Sequence, residues 1–121
     1  MQATLLVMLG GAIGAAARYQ LGRFAFGAFG PGYPWGTLAA NLIGGLAMGA
    51  LVGVAARNEP MRLLLGVGLL GGFTTFSAFS LEAAQMIQRG ELMVAAAYAV
   101  SSVAGSVMLL FIGFWLARAT A

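Results

Sequence analysis

The sequence predicts an all-α integral membrane protein of four transmembrane helices, the third of which is broken at its centre. Of the 121 residues, 61% are hydrophobic and only 7% are charged, whereas a soluble domain carries about 25% charged residues. Turn-forming and charged residues divide the chain into four apolar segments. The third segment contains a polar stretch with two glycines, Gly71 to Glu82, near its middle.

The first two segments are each long enough to cross a bilayer, which takes about 20 apolar residues. Residues 3–26 form the first segment, and the turn-rich run 27–34 ends it. Because no basic region precedes its apolar core, we expect a retained membrane helix rather than a cleavable signal peptide. Residues 35–56 form the second segment, which Arg57-Asn58-Glu59-Pro60 closes.

The third segment, residues 61–88, is predicted to break near residues 71–75. The ten residues before the break span only about 15 Å of a hydrocarbon core roughly 30 Å thick, so the two halves form one interrupted crossing. Irregular backbone at that depth is tolerated only where it is buried in protein or lines a polar cavity. Broken helices at the bilayer midplane are a known way to build an ion site.

The fourth segment, residues 92–117, follows the short turn Arg89-Gly90-Glu91, and the expected result is a single four-helix membrane domain over residues 1–121. The chain contains no histidine and no cysteine, and its basic residues are six arginines. With three carboxylates as the remaining acid–base groups, an enzyme is not expected. The scattered arginines form no basic stripe, which argues against a nucleic-acid partner.

The arginines near the helix ends are almost equally divided between the two sides of the membrane. With four crossings, three lie on the side of the termini and two or three on the other: Arg57, Arg62 and Arg118 against Arg23, Arg89 and the more deeply placed Arg18. So small a positive-inside bias predicts insertion in both orientations. Two copies can then form a head-to-tail, two-fold dimer. The alternative is a weak bias that a partner resolves.

Glycines recur at four-residue spacing at Gly10 and Gly14 and again at Gly45, Gly49 and Gly53. Small-xxx-small faces allow membrane helices to approach closely. These faces serve contacts either between copies or within one chain.

Several polar side chains on apolar helices require an explanation. Arg18 shares a helix face with Gly14, and either gathers anions at a positive mouth or anchors the helix at the interface. Thr37 and Asn41 lie one helical turn apart and face the same way. They serve either as hydrogen-bond donors along a pathway or in a hydrogen bond between helices. Glu82, if ionised at the bilayer centre, would cost roughly 2.5–3.5 kcal/mol, so we expect it near an end, partnered or protonated.

A hydroxyl stripe and a pair of aromatic rings complete the candidate site. Tyr98, Ser102 and Ser106 repeat every four residues and form either a polar track or a helix–helix contact. Phe76 and Phe79 lie three residues apart beside the break. A phenyl ring has a positive edge that can hold an anion, although packing is the usual role of a membrane phenylalanine.

Three motifs carry a resemblance to the Fluc (CrcB) fluoride channel family: Gly11-Ala-Ile-Gly-Ala-Ala-Ala-Arg-Tyr19, Gly36-Thr-Leu-Ala-Ala-Asn-Leu-Ile-Gly44 and Gly71-Gly-Phe-Thr-Thr-Phe-Ser-Ala-Phe-Ser-Leu-Glu82. The resemblance covers the full length. It implies an antiparallel, dual-topology homodimer in the lipid of a prokaryotic plasma membrane, the inner one if there are two. It also implies passive fluoride export through two pores, which reduces fluoride toxicity.

The resemblance also implies roles for individual residues. Phe76 and Phe79 would coordinate fluoride with their ring edges, and Asn41 would line the pore. Tyr98, Ser102 and Ser106 would form the polar track, with Glu82 as the acidic residue that follows the rings. The backbone carbonyls of Gly71 and Thr74 would hold a structural sodium ion, Na+, on the two-fold axis.

Two other classes of membrane protein fit the sequence less well than a channel does. A small multidrug exporter has a similar size and charge balance, but it needs a carboxylate in its first membrane helix, and residues 3–26 contain none. A structural membrane subunit with no transport role would leave the aligned polar residues unexplained.

Overall fold

A computed structural model describes residues 1–55 and 57–120, and within them the chain is helical with four long apolar helices. These are Gln2–Phe29, Trp35–Ala55, Glu59–Gln88 and Leu92–Thr120. The predicted all-helical fold is thereby confirmed, with helices that extend beyond several of the predicted spans. Ala56, the last residue of the predicted second span, lies outside the described residues.

The third crossing is interrupted at its centre and has two arms. The N-terminal arm begins at the Asn58 cap, whose Oδ1 accepts from the Met61 N–H at 3.1 Å, and continues through Glu59–Met61, Arg62–Leu70 and Gly71–Phe73. Thr74 then leaves helical geometry, with φ −82° and ψ 161°. The C-terminal arm is Ser77–Gln88. The break therefore covers residues 74–76.

The central part of the N-terminal arm, Arg62–Leu70, is a π-helix, which the sequence did not predict. In a π-helix the backbone hydrogen bonds join residues five apart, and the Gly71 N–H accordingly donates to the Gly66 carbonyl. Long π-helices are rare, and π-turns occur frequently at functional sites. The wider turns end at Leu70, and one short α-helical segment, Gly71–Phe73, separates them from the break.

Glycines allow two pairs of helices to touch backbone to backbone. The first helix packs on the N-terminal arm, where a Cβ at Gly14 would overlap the Leu69 carbonyl and lie 2.8 Å from the Phe73 nitrogen. The second helix packs along the last helix, where a Cβ at Gly45 would lie 2.6 Å from the Ser106 carbonyl oxygen. The contacts of Gly10, Gly49 and Gly53 are of the same kind and, like these, lie within one chain.

The buried core is small and lies beside the C-terminal arm. Leu38, Met86, Ala95 and Tyr98 form its buried cluster. Most large apolar side chains outside it face outwards, as expected for a protein surrounded by lipid. The turns after the first helix and after the third crossing contain Gly30 and Gly90, whose φ values of 78° and 81° favour glycine.

The glycine contacts predict a sharp difference between two Gly→Ala variants of the first helix. Gly14→Ala should lower the free energy of unfolding by about 1–3 kcal/mol, because the new methyl group meets the backbone of the N-terminal arm. Gly27→Ala is the matched control, since no atom of the described residues outside the local helix backbone lies within 4 Å of its Cβ position. Chemical denaturation in detergent micelles measures both, and equal stability of the two variants would contradict the proposed contact.

Candidate functional site

A cavity of about 460 Å³ lies against the break and opens at the surface of the chain. Its walls come from the break, the C-terminal arm, the second helix and the last helix. Most predicted site residues meet here: Asn41, Gly71, Thr74, Phe76, Phe79, Ser102 and Ser106, together with Thr75. We call this the central cavity. Its described lining contains no charged side chain.

Asn41 holds the break through a pair of hydrogen bonds to one residue. Its Oδ1 accepts from the Thr75 N–H at 2.9 Å, and its Nδ2 donates to the Thr75 carbonyl at 3.1 Å. Both backbone groups of Thr75 lie outside a helical ladder, and unpaired groups would be costly inside a membrane. Asn41 therefore makes an interhelical hydrogen bond, and it also lines the central cavity.

Two threonine side chains cap the ends of the break. The Thr75 Oγ1 accepts from the Ala78 N–H at 3.2 Å, as a residue before a helix often does. The Thr74 Oγ1 donates back to the Leu70 carbonyl at 3.0 Å. Each arm of the third crossing thus has a side-chain partner where its own ladder stops.

Glu82 contacts two other helices, and each of its carboxylate oxygens accepts a hydrogen bond from a hydroxyl group. Its Oε2 accepts from Thr37 Oγ1 at 3.0 Å, and its Oε1 accepts from the Tyr98 hydroxyl at 2.9 Å. Tyr98 is completely buried, and its ring packs against Tyr33 and Phe79 at centroid distances of 5.6 and 5.0 Å. In the turn before the second helix, burial raises the pKa of the Tyr33 phenol above its ordinary value.

The two phenylalanine rings meet edge to face. The centroids of Phe76 and Phe79 lie 5.6 Å apart with an interplanar angle of 75°, the geometry that aromatic quadrupoles favour. Phe79 is half-buried, whereas Phe76 is 68% exposed. The aromatic pair thus runs from the core to the surface of the chain.

The three hydroxyls of the predicted stripe have different environments. Tyr98 donates to Glu82, and Ser106 Oγ donates to the Asn41 carbonyl at 3.2 Å. Ser102 Oγ is buried, lines the central cavity and has no hydrogen-bond partner among the described residues. A buried hydroxyl without a partner costs about 1–3 kcal/mol, so Ser102 is the group in this stripe that is available to a ligand.

A second cavity of about 550 Å³ is separate from the central cavity and has Glu82 in its lining. Arg18, Arg23 and Thr37 line it together with Glu82. The Arg18 Nε donates to the Gly72 carbonyl at 3.4 Å, so this guanidinium points inwards rather than only to the interface. Thr37 and Asn41, predicted to face the same way, line different cavities.

Thr75 and Tyr33 are the two site residues whose roles sequence reasoning missed. Thr75 lies in the polar stretch from Gly71 to Glu82, and its backbone and its Oγ1 anchor the break. Tyr33 lies in a Gly-Tyr-Pro turn, which gave no sign that its ring would pack on Tyr98. The described residues contain no His, Cys, Asp or Glu group that could hold a metal ion.

Comparison with known proteins places these residues in a family. A family profile described as "CrcB-like protein, Camphor Resistance (CrcB)" matches residues 5–114. A relative from Phenylobacterium zucineum is 57% identical over 98% of this chain and 97% of its own length. One from Novosphingobium aromaticivorans is 52% identical over all of both chains, and one from Caulobacter vibrioides is 46% identical over 98% and 97%. All three are named "Fluoride-specific ion channel FluC".

The hydrogen bonds to Glu82 predict the stability of a Tyr98→Phe variant. The ring keeps its packing, but the carboxylate loses a buried donor, which should lower the free energy of unfolding by about 1.5–3 kcal/mol. The control is Tyr19→Phe, where the ring is 62% exposed and the change should stay within about 0.5 kcal/mol. Denaturation in micelles compares them, and a Tyr98→Phe protein as stable as the parent would show that the hydroxyl is not a stabilising partner.

Proposed function

The chain belongs to the CrcB family, and on that premise we propose that it is a fluoride-specific ion channel that exports fluoride passively and so reduces cytoplasmic fluoride toxicity. It is a transporter and not an enzyme. The observation that carries this function is the central cavity, where the rings of Phe76 and Phe79 and the unpartnered hydroxyl of Ser102 meet without a charged side chain.

The chemistry of the cavity suits a small anion in transit. Ring edges and hydroxyl hydrogens offer positive charge density to fluoride. Conduction requires binding that is strong enough for entry and weak enough for exit, which favours side chains that carry no full charge. The uncharged lining of the central cavity meets both requirements.

The second cavity provides an approach to the central one. Two guanidinium groups, Arg18 and Arg23, raise the local concentration of anions there. Thr37, Glu82 and Tyr98 then form a hydrogen-bonded group between this cavity and the aromatic pair. A fluoride ion that passes this group reaches the ring of Phe79. The hydroxyls of Ser102 and Ser106 and the amide of Asn41 form the polar part of the pathway.

The direction of transport follows from membrane energetics. Hydrogen fluoride crosses lipid as a neutral molecule and dissociates in the more alkaline cytoplasm, which traps the anion. A membrane potential, worth about 2.3 kcal/mol per elementary charge per 100 mV, then drives fluoride outwards through a channel. The site of action is the plasma membrane of a prokaryote, or the inner membrane of a cell with two.

The working unit is an antiparallel homodimer in which the two copies have opposite orientations. The balanced arginines support dual topology. The central cavity is open at the surface of a single chain, and Phe76 is 68% exposed there. A second copy would close the cavity and cover the exposed ring, while lipid covers the remaining apolar surface.

A structural sodium ion would fit between the two copies. The carbonyl groups of Gly71 and Thr74 belong to residues that line the central cavity at the break. Carbonyl oxygens are hard ligands of the kind that hard cations prefer, and two from each copy would give four ligands. The ion's contribution would be to hold the two breaks together at the dimer centre.

Replacement of a ring tests the function directly. Phe79→Ile keeps an apolar side chain but removes the ring edge, so fluoride efflux from liposomes should fall at least about tenfold. The control is Phe24→Ile, whose ring is 71% exposed and outside both cavities, and its efflux should match the parent. Both variants must remain dimeric by cross-linking. A dimeric Phe79→Ile protein with parental efflux would remove the aromatic pair from the pathway, and a parent without fluoride efflux would overturn the function.

The orientation of the chain can be measured with a tag at the C-terminus. One population of the parent should show the tag on both sides of the membrane. Two or three lysines added beside Arg118 should shift insertion to one side, because positive charge is retained in the cytoplasm. Activity should then fall and return when a copy with the opposite bias is co-expressed. A single orientation of the unmodified chain would contradict dual topology.

A further inference from the structure

We infer that Asn41 and Thr75 are positioning residues for the proposed sodium ion. Their side chains capture two backbone N–H groups, by accepting a hydrogen bond from each, that would otherwise pair with the Gly71 and Thr74 carbonyls. These two oxygens are thereby left for a monovalent cation of the size of sodium. The inference rests on the sodium site of the proposed function and explains how one chain prepares its half of that site.

The first capture concerns the Gly71 carbonyl. In an unbroken α-helix this oxygen would accept from the N–H of Thr75, four residues later. Here the Thr75 N–H instead donates to Asn41 Oδ1 at 2.9 Å. An acceptor on the second helix thus receives the hydrogen bond that the Gly71 carbonyl would receive in a continuous helix.

The second capture concerns the Thr74 carbonyl and has the same form. Its partner in an unbroken helix would be the N–H of Ala78. That N–H donates to the Thr75 Oγ1 at 3.2 Å. Because both donors, the N–H groups of Thr75 and Ala78, have side-chain acceptors, neither becomes a costly unpaired amide when the two carbonyls are left for a cation.

Two neighbouring carbonyls, those of Gly72 and Thr75, have side-chain donors. The Gly72 carbonyl accepts from Arg18 Nε at 3.4 Å, and the Thr75 carbonyl accepts from Asn41 Nδ2 at 3.1 Å. Both captures therefore release the carbonyls of Gly71 and Thr74, while those of Gly72 and Thr75 are engaged. Gly71 is also exposed on the surface of the single chain, where a second copy can reach it.

The test measures how sodium stabilises the dimer in variants that lack one capturing acceptor. Thr75→Val keeps the shape of the side chain without the Oγ1 acceptor, whereas Thr75→Ser restores it. Asn41→Leu removes the other acceptor, and Thr120→Val, at the far end of the last helix, is the matched control. Subunit exchange between labelled dimers is followed by fluorescence transfer in vesicles as sodium replaces N-methyl-D-glucamine.

The sodium concentration for half-maximal slowing of exchange should rise at least about tenfold in Thr75→Val and in Asn41→Leu, a tenfold change being about 1.4 kcal/mol of binding free energy. It should stay within about threefold of the parent in Thr75→Ser and Thr120→Val. If Thr75→Val does not assemble at any sodium concentration, Thr75→Ala is measured in the same way. A general loss of packing would speed exchange at every sodium concentration without moving this midpoint.

The outcomes separate the inference from the function on which it rests. A sodium-dependent parent whose acceptor-lacking variants keep the parental midpoint would overturn the role of Asn41 and Thr75 and leave the sodium site standing. A parent whose exchange is independent of sodium would overturn both. Fluoride efflux by the parent in the same vesicles reports on the channel function independently of either result.

Discussion

The paired hydrogen bonds between the Asn41 amide and the backbone of Thr75 are the interaction on which the rest of the site depends. A transmembrane helix normally satisfies its own backbone, and any interruption must find partners within the protein. Asn41 supplies a donor and an acceptor where the third crossing stops, and the Thr75 hydroxyl supplies a further acceptor. The chain can therefore become extended at Thr74 and start a new helix at Ser77 while the N–H groups of Thr75 and Ala78 keep partners.

Glycine contacts bring the helices close enough for those bonds to form. Gly14 lets the first helix touch the N-terminal arm just before the break, and Gly45 lets the second helix touch the last helix at Ser106. The same contact places the Ser106 hydroxyl on the Asn41 carbonyl. A side chain at either glycine would push the two contacting helices apart, so the hydrogen bonds of the polar site depend on these small residues.

Polar groups in this protein fall into two classes with different consequences. Those of Asn41, Thr37, Tyr98 and Glu82 are engaged with one another or with the backbone, and they maintain the shape of the pathway. The hydroxyl of Ser102 lacks a partner among the described residues. A channel needs both, because a rigid frame lowers the cost of admitting an ion and a sparse set of unengaged donors keeps that ion weakly bound.

The sequence by itself determined the number of crossings, the location of the break and the helix that carries each polar side chain. Those features depend on local composition and on the helical period, which any short stretch displays. The tertiary structure alone decided that Glu82 would meet Thr37, 45 residues away, and that Asn41 would pair with Thr75, 34 residues away. It also decided the π-helix and the assignment of Thr37 and Asn41 to different cavities. Partners so distant in sequence are selected by how closely and at what angle their helices pack, and no local pattern encodes that approach.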